Sequence, residues 1–121
     1  MKDDYVRNAT VVRVIDGDTL EADLDLGWRH TWRSSVRLAG LNARELRDPG
    51  GPEARDHLAR LLPPGTQVVL RSIELDKFGR SLATVWEGKT NINRLLLEEG
   101  WAAPYDGHGL TSAHVPVWPR P

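Results

Sequence analysis

The sequence predicts a mainly β domain with two helices, an α+β fold whose strands form a small barrel. In the first half of the chain apolar residues alternate with polar ones, as they do in half-buried strands. Two later segments carry apolar residues at helical spacing, and clusters of glycine and proline separate the segments. The chain has 121 residues, which is the usual length of one domain and is enough to form a hydrophobic core.

The first three predicted strands are consecutive. Residues 10–15 are rich in β-branched side chains, and Asp16-Gly17-Asp18 follows, whose Asp-Gly pair suits the positive backbone angles of a tight hairpin turn. Residues 20–26 alternate leucine or alanine with acidic residues and form the return strand. A long third strand is predicted for residues 28–41, and its alternation places three arginines on one face: Arg29, Arg33 and Arg37.

The second half contains two helices and two more strands. Pro52 suits the first turn of a helix that Pro63-Pro64-Gly65 ends, and Asn91 is the N-cap of a second helix that ends at Gly100. Residues 67–73 and 81–86 predict the fourth and fifth strands. This order of elements suits a five-stranded OB-type barrel, a fold that binds oligonucleotides on one face. We assign residues 1–103 to this domain and residues 104–121 to a Pro/Gly-rich tail.

Composition excludes some classes of function. The chain has no cysteine, so disulfides and thiolate metal sites are excluded. Its formal charge is -1, which gives no general attraction to long nucleic acid, so any anion has to be bound locally. The first residues lack the apolar core of a signal peptide, and no run approaches the ~18 apolar residues of a membrane span. We expect a cytoplasmic monomer without membrane contact.

Two polar clusters in the first half are candidates for chemistry. In residues 15–19 (IDGDT) the aspartates are either solvated turn residues, or Asp18 offers a rigid carboxylate to a hard cation. In the second cluster Arg37 lies within a strand, and Asn42 and Glu45 follow the end of that strand. These residues are either surface charges or a catalytic site. The catalytic interpretation rests on the fact that an amide oxygen and a carboxylate near an arginine suit metal-assisted phosphate chemistry.

A third cluster is DKFGR at residues 76–80. A tight turn needs Gly79, but nothing in turn chemistry needs Arg80.

The histidines show no paired spacing for a zinc site, and the five tryptophans are expected to pack in the core or at its rim.

Taken together, these clusters resemble the staphylococcal nuclease family of calcium-dependent nuclease domains on an OB barrel. The resemblance covers most of the chain and rests on five blocks in the same order: IDGDT at 15–19, VRLAGLNARE at 36–45, GPEA at 51–54, DKFGR at 76–80 and NINRLLLEEGWA at 91–102.

The resemblance implies a catalytic site for phosphodiester cleavage. Arg37 and Arg80 look like the two arginines that bind the scissile phosphate, and Glu45 looks like the carboxylate that activates or orients the attacking water. Two guanidinium groups and a divalent ion would stabilise the charge that gathers on the non-bridging oxygens in the transition state.

The resemblance also implies a calcium site made by Asp18, Asn42 and the backbone carbonyl of Ala43. The family pattern usually has an aspartate where this chain has Asn42, and calcium affinity falls as carboxylates are lost, so we expect a weaker site with Asp16 as a helper. Arg44 replaces the proline common before the family's glutamate, from which we expect a less rigid loop.

We therefore expect a calcium-dependent nuclease that hydrolyses DNA with little sequence specificity, single strands being preferred and RNA left open as a second substrate. The resemblance implies products with a 3′-phosphate and a 5′-hydroxyl. Tyr105 either stacks on a substrate base or covers the barrel. The alternative is a catalytically weakened or inactive barrel that binds nucleic acid or a protein partner, which Asn42 and the near-neutral charge favour.

Overall fold

The computed structural model describes residues 5–75 and 79–105 and confirms a mainly β fold with two helices. Within these residues the elements, in chain order, are β1 (Val6–Asp16), β2 (Thr19–Gly27), β3 (His30–Leu38), β4 (Leu41–Ala43), α1 (Gly51–Leu61), β5 (Gln67–Leu75), β6 (Ser81–Glu87), β7 (Thr90–Asn91), α2 (Ile92–Glu98) and β8 (Ala102–Pro104).

Five of the strands close into a barrel. Their hydrogen-bonded order is β3-β2-β1-β5-β6, and a parallel pairing between β3 and β6 joins the two ends. The two-residue strand β7 extends β6, while β4 and β8 form a separate antiparallel pair. The interior is filled mainly by leucine, valine and alanine, including the fully buried Leu20, Leu38, Leu58 and Leu70. The closed barrel with two helices is the OB-type arrangement predicted from the sequence.

The helix α2 is anchored across the seam where β3 meets β6. Asn91 is its N-cap, as predicted, and the Asn91 side chain accepts a hydrogen bond from the backbone N–H of Arg94. The buried Asn93 amide donates to the carbonyls of Ala39 and Ala83. Because these two carbonyls flank the seam, Asn93 stabilises the closure of the barrel.

The third strand is shorter than the predicted residues 28–41. Trp28 and Arg29 have φ angles of 55° and 63°, which a strand does not contain, and they form the turn between β2 and β3. Trp28 is 95% exposed, so the expectation that it packs in the core or at its rim is wrong. Arg33 and Arg37 share a face of β3 as predicted, whereas Arg29 lies in the turn.

The hairpin turn between β1 and β2 is present, but its glycine has a different role from the predicted one. Gly17 is not among the glycines with positive φ. Instead, a Cβ at this position would lie 2.8 Å from the Cβ of Ala43 and 2.9 Å from the Cβ of Ala54. Gly17 therefore allows β4 and α1 to pack directly against the turn.

Some predictions fall beyond the described residues: 76–78 of the DKFGR block and the tail after residue 105. The boundary at residue 103 remains a prediction, although Pro104 still pairs with Leu41 in the small sheet. In the described ranges, neither helix has the length and apolar character needed to cross a membrane.

Candidate active site

An open cavity of about 180 Å³ brings most of the candidate residues together. It lies where the β1–β2 turn, the end of β3, the segment after β4 and the start of β6 meet. Three carboxylates and three guanidinium groups contribute to its lining, so their formal charges balance: Asp16, Asp18, Glu45, Arg37, Arg44 and Arg80.

Asp18 is only 8% exposed, and its carboxylate is held on both oxygens. Oδ2 accepts the backbone N–H of Ala43 at 2.9 Å, and Oδ1 accepts the hydroxyl of Thr19 at 3.0 Å. The backbone carbonyl of Asp18 accepts the N–H of Leu38 at 2.9 Å, which fixes the turn against β3. The sequence left open solvated turn aspartates or a rigid carboxylate at Asp18, and these contacts hold the Asp18 carboxylate in place.

Arg37 is fixed by hydrogen bonds to the segment that follows β3. Its Nη1 donates to the carbonyls of Leu38 and Leu41 at 3.2 and 3.1 Å, and its Nη2 donates to Oδ1 of Asn42 at 3.3 Å. Of the five N–H donors of a guanidinium, the one on Nε and the second one on Nη2 have no hydrogen-bond acceptor among the described residues. Two such donors on one guanidinium suit bidentate binding of a phosphate.

Arg37 also lies close to a carboxylate and to an aromatic ring. Its Nη2 is 3.6 Å from Oδ2 of Asp18, and its guanidinium carbon is 5.6 Å from the centroid of the Tyr105 ring. The backbone N–H of Tyr105 donates to the carbonyl of Gly40 at 2.9 Å, which holds this residue beside the β3–β4 turn. Tyr105 therefore supports Arg37 from the side, and stacking of Tyr105 on a base remains a prediction.

Glu45 lies on the loop between β4 and α1. Its carboxylate is 52% exposed, and Oε2 is 2.8 Å from Nε of Arg47. The carbonyl of Glu45 accepts the N–H of Asp48 at 2.9 Å, and the carbonyl of Asp48 accepts the N–H of Gly51 at 3.0 Å. A Cβ on Gly51 would overlap the Glu45 carbonyl oxygen. Two backbone hydrogen bonds and one close glycine contact therefore define the path of this loop.

Arg80 is half-buried and precedes β6 by one residue. In the parallel pairing Leu82 lies opposite Arg37, which places Arg80 two residues before the partner of Arg37. Both side chains line the same cavity. The closure of the barrel thus brings together two arginines that are far apart in the sequence.

The two aspartates of the turn influence each other. Oδ1 of Asp16 accepts the backbone N–H of Asp18 at 3.0 Å. Burial, followed by the hydrogen bond and the negative charge of Asp18, raises the pKa of Asp16 from 3.8 to about 6. A negative charge on Asp16 is therefore unfavourable at this turn.

Residues of the β1–β2 turn and of β4 carry oxygen atoms of the kinds that a hard cation binds. Asp18, Asn42 and the carbonyl of Ala43 offer oxygen, and Ca²⁺ binds carboxylate, amide and backbone oxygens. Across the described ranges, 5–75 and 79–105, no three His, Cys, Asp or Glu side chains form a group that could hold a metal. From the described residues, an ion here would therefore have at most two carboxylate ligands beside amide and carbonyl oxygens.

Two residues of this site were not identified from the sequence. Arg44, which the sequence indicates only as a replacement for a proline, lines the cavity. Gly51, which the sequence places only in the GPEA block at 51–54, contacts the Glu45 backbone. The cationic side chain directly before Glu45 is the signal that would have indicated Arg44. No local signal indicates Gly51, because its contact depends on the course of the loop.

The closed barrel, with arginines and carboxylates around one cavity, defines an OB-fold domain with a charged cavity. The family model described as staphylococcal nuclease homologue matches residues 35–115, which is more than half of the chain. The chain belongs to this family.

Similar proteins carry related names. The chain is 36% identical over 108 residues to a micrococcal nuclease of Shigella flexneri, covering 82% of this chain and 59% of that protein. It is 35% identical over 99 residues to a thermonuclease of Staphylococcus hyicus, covering 76% of this chain and 56% of that protein. It is 33% identical over 108 residues to Protein ParB of Escherichia coli, covering 82% of this chain and 58% of that protein. The chain thus spans somewhat more than half the length of these relatives.

Proposed function

We propose that the protein is a calcium-dependent nuclease that hydrolyses the phosphodiester bonds of DNA with little sequence specificity and a preference for single strands, with RNA left open as a second substrate. The observation that carries the proposal is the convergence of Asp18, Arg37, Glu45 and Arg80 on one cavity of a closed OB barrel. The names of the similar nucleases support the same activity. A monomeric state and a cytoplasmic location remain predictions from the sequence.

In this proposal Arg37 and Arg80 bind the non-bridging oxygens of the scissile phosphate. Arg37 arrives already oriented, because its contacts with Leu38, Leu41 and Asn42 hold the guanidinium before substrate binds. Charge accumulates on those oxygens in the transition state, so positioned guanidinium groups stabilise it more than the ground state.

Glu45 is the proposed general base. Its carboxylate reaches the cavity from a loop whose backbone is fixed by Asp48 and Gly51. A water molecule attacks the phosphorus while Glu45 accepts its proton, the bond to the 5′-oxygen breaks, and that oxygen takes up a proton from solvent. The products then carry a 3′-phosphate and a 5′-hydroxyl.

Asp18, Asn42 and the carbonyl of Ala43 would hold the calcium ion, with Asp16 close by. When bound, the ion supplies Lewis-acid stabilisation of the phosphate and lowers the pKa of a coordinated water. The protein's part is to keep the Asp18 carboxylate in place, which the N–H of Ala43 and the hydroxyl of Thr19 do.

A second candidate function is nucleic-acid binding without efficient cleavage. It is favoured by one specific contact: Oδ1 of Asn42, the oxygen proposed as a metal ligand, already accepts a hydrogen bond from Arg37. An amide oxygen shared in this way is a weaker calcium ligand than the carboxylate common at this position in the family.

The two functions are separated by a cleavage assay on end-labelled single-stranded DNA with calcium, with magnesium and with a chelator. The variants are Glu45→Gln, which removes the base, and Glu98→Gln, a matched control in which an exposed glutamate also paired with an arginine is changed. Calcium-dependent cleavage that is lost only in Glu45→Gln supports the nuclease. DNA binding without cleavage by the folded wild type contradicts it and favours the binding module.

A further inference from the structure

Arg44 contributes a third guanidinium to the cavity, beside those of Arg37 and Arg80. The side chain is half-buried, and its Nε is shielded from solvent and has no hydrogen-bond partner in the part of the chain that the structure describes. Buried N–H groups are nearly always hydrogen-bonded, so this exception at a cavity indicates that the guanidinium turns to place Nε against an acceptor that arrives from outside the protein. The donor belongs to a cation, so the acceptor that fits best is anionic.

The scissile phosphate is not the best acceptor for this third guanidinium. A phosphodiester has two non-bridging oxygens, and the proposed site already directs Arg37, Arg80 and a cation at them. A third guanidinium on the same phosphate would compete for those oxygens. A single strand offers a second anion nearby, because each nucleotide carries its own phosphate.

The charge of the cavity supports a second phosphate. With three carboxylates against three guanidinium groups, its lining is formally neutral. A bound divalent cation would add two positive charges, and two consecutive phosphodiesters would compensate them.

We propose that Arg44 is a substrate-binding residue that donates through Nε to the phosphate next to the scissile one. The inference rests on the proposed function for the identity of the scissile phosphate. Arg44 makes the enzyme prefer a phosphodiester bond that is flanked by a second charged phosphate to an isolated phosphodiester bond.

The test compares trinucleotides of the same length with different charge. One has two natural phosphodiester linkages; in the other two, either linkage is replaced by a neutral methylphosphonate, which leaves a single cleavable bond without a charged neighbour. The protein variants are Arg44→Gln, which removes the charge, and Arg44→Lys, which keeps the charge but lacks Nε. Arg60→Gln, at an exposed position in the last turn of α1, is the matched control.

We expect Arg44→Gln to raise KM for the fully charged trinucleotide about tenfold and to change kcat by less than about twofold. The methylphosphonate substrates should show a change in KM of less than about twofold, because the phosphate that Arg44 binds is already neutral. Arg44→Lys should recover only part of the loss, and Arg60→Gln should match the wild type.

Equal losses on charged and neutralised substrates would overturn the inference. So would a fall in kcat at unchanged KM, which would mean that Arg44 positions the Glu45 loop instead. If the wild type cleaves nothing, the proposed nuclease activity fails separately, and binding of the same trinucleotides in chelator, measured by fluorescence anisotropy, decides about Arg44. Weaker binding of only the charged trinucleotide by Arg44→Gln supports the inference; equal binding, or no binding by the wild type, contradicts it.

Discussion

The backbone N–H of Ala43 donates a 2.9 Å hydrogen bond to Oδ2 of Asp18, 25 residues earlier in the chain. This bond joins the end of β4 to the β1–β2 turn and directs the Asp18 carboxylate into the cavity. The segment from Ala43 to Glu45 is thereby positioned relative to Asp18. In our account, this relationship sets the distance between the cation site and the general base.

Asp18→Asn is expected to remove most of the activity while the fold persists. The amide oxygen can still accept the N–H of Ala43, but the site loses a carboxylate, so activity at a given calcium concentration should fall about 100-fold or more. Cleavage rates over a calcium titration, with circular dichroism as the check of folding, measure this. Undiminished cleavage by Asp18→Asn would remove this residue from the cation site.

Asn42→Asp is expected to strengthen calcium binding. The change adds a carboxylate beside Asp18 while its oxygen still accepts the hydrogen bond from Arg37. The calcium concentration for half-maximal cleavage should therefore decrease about tenfold. A half-maximal concentration equal to that of the wild type would place Asn42 outside the set of ligands.

Gly51→Ala is expected to impair catalysis by moving the Glu45 loop. The added Cβ would overlap the Glu45 carbonyl, so the loop has to shift, with a loss of stability of about 1–3 kcal/mol and a fall in kcat of about tenfold or more. Gly65→Ala is the control: its positive φ of 89° strains the backbone in open space away from the cavity. If both variants lose stability but keep the kcat of the wild type, Gly51 has no role in positioning Glu45.

The raised pKa of Asp16 predicts a pH-dependent effect of Asp16→Asn on the calcium-free protein. The pKa of the Asp16 carboxyl is about 6 in the folded protein and 3.8 in the unfolded chain. The protonated carboxyl therefore contributes its full stability to the fold below pH 3.8, and this contribution is lost as the pH rises through 6. Asp16→Asn should therefore stabilise the protein by about 1–3 kcal/mol at pH 8 and by much less at pH 4. Urea unfolding in chelator at both pH values measures this difference.

Asp25→Asn provides the reference for that comparison, because Asp25 is an exposed residue of β2 whose carboxylate accepts the N–H of Gly27. The stabilisation by Asp16→Asn at pH 8 should exceed that of Asp25→Asn. An Asp16→Asn effect that is the same at pH 4 and pH 8 would contradict the assignment of the shift to the burial of a charged carboxylate.

Local signals in the sequence predicted most of the barrel. Period-two alternation identified the five barrel strands, and the preference of Asn91 for a capping position identified the start of α2, because both depend on neighbours in the chain. The short strands β4, β7 and β8 were not predicted, since two or three residues carry no periodicity and their pairing depends on partners distant in the sequence.

The unpredicted details of the site have a tertiary origin. Gly17 was expected to serve the turn by its φ angle, yet its small size matters because Ala43 and Ala54 pack against it. The buried Nε of Arg44 likewise depends on how the loop before α1 folds over the cavity. Sequence reasoning named residues that the fold brings to one cavity, while the contacts that hold them arise only in the fold.

The central claim is that Arg37 and Arg80, brought together by barrel closure, act on a phosphate in one cavity. Cleavage of single-stranded DNA in saturating calcium by Arg80→Ala tests it most directly. Arg94→Ala is the matched control, because Arg94 is an exposed arginine of α2 paired with Glu98. We expect Arg80→Ala to stay folded and to cleave about a thousandfold more slowly or worse, while Arg94→Ala matches the wild type. Cleavage by folded Arg80→Ala within about threefold of the wild-type rate would contradict the account.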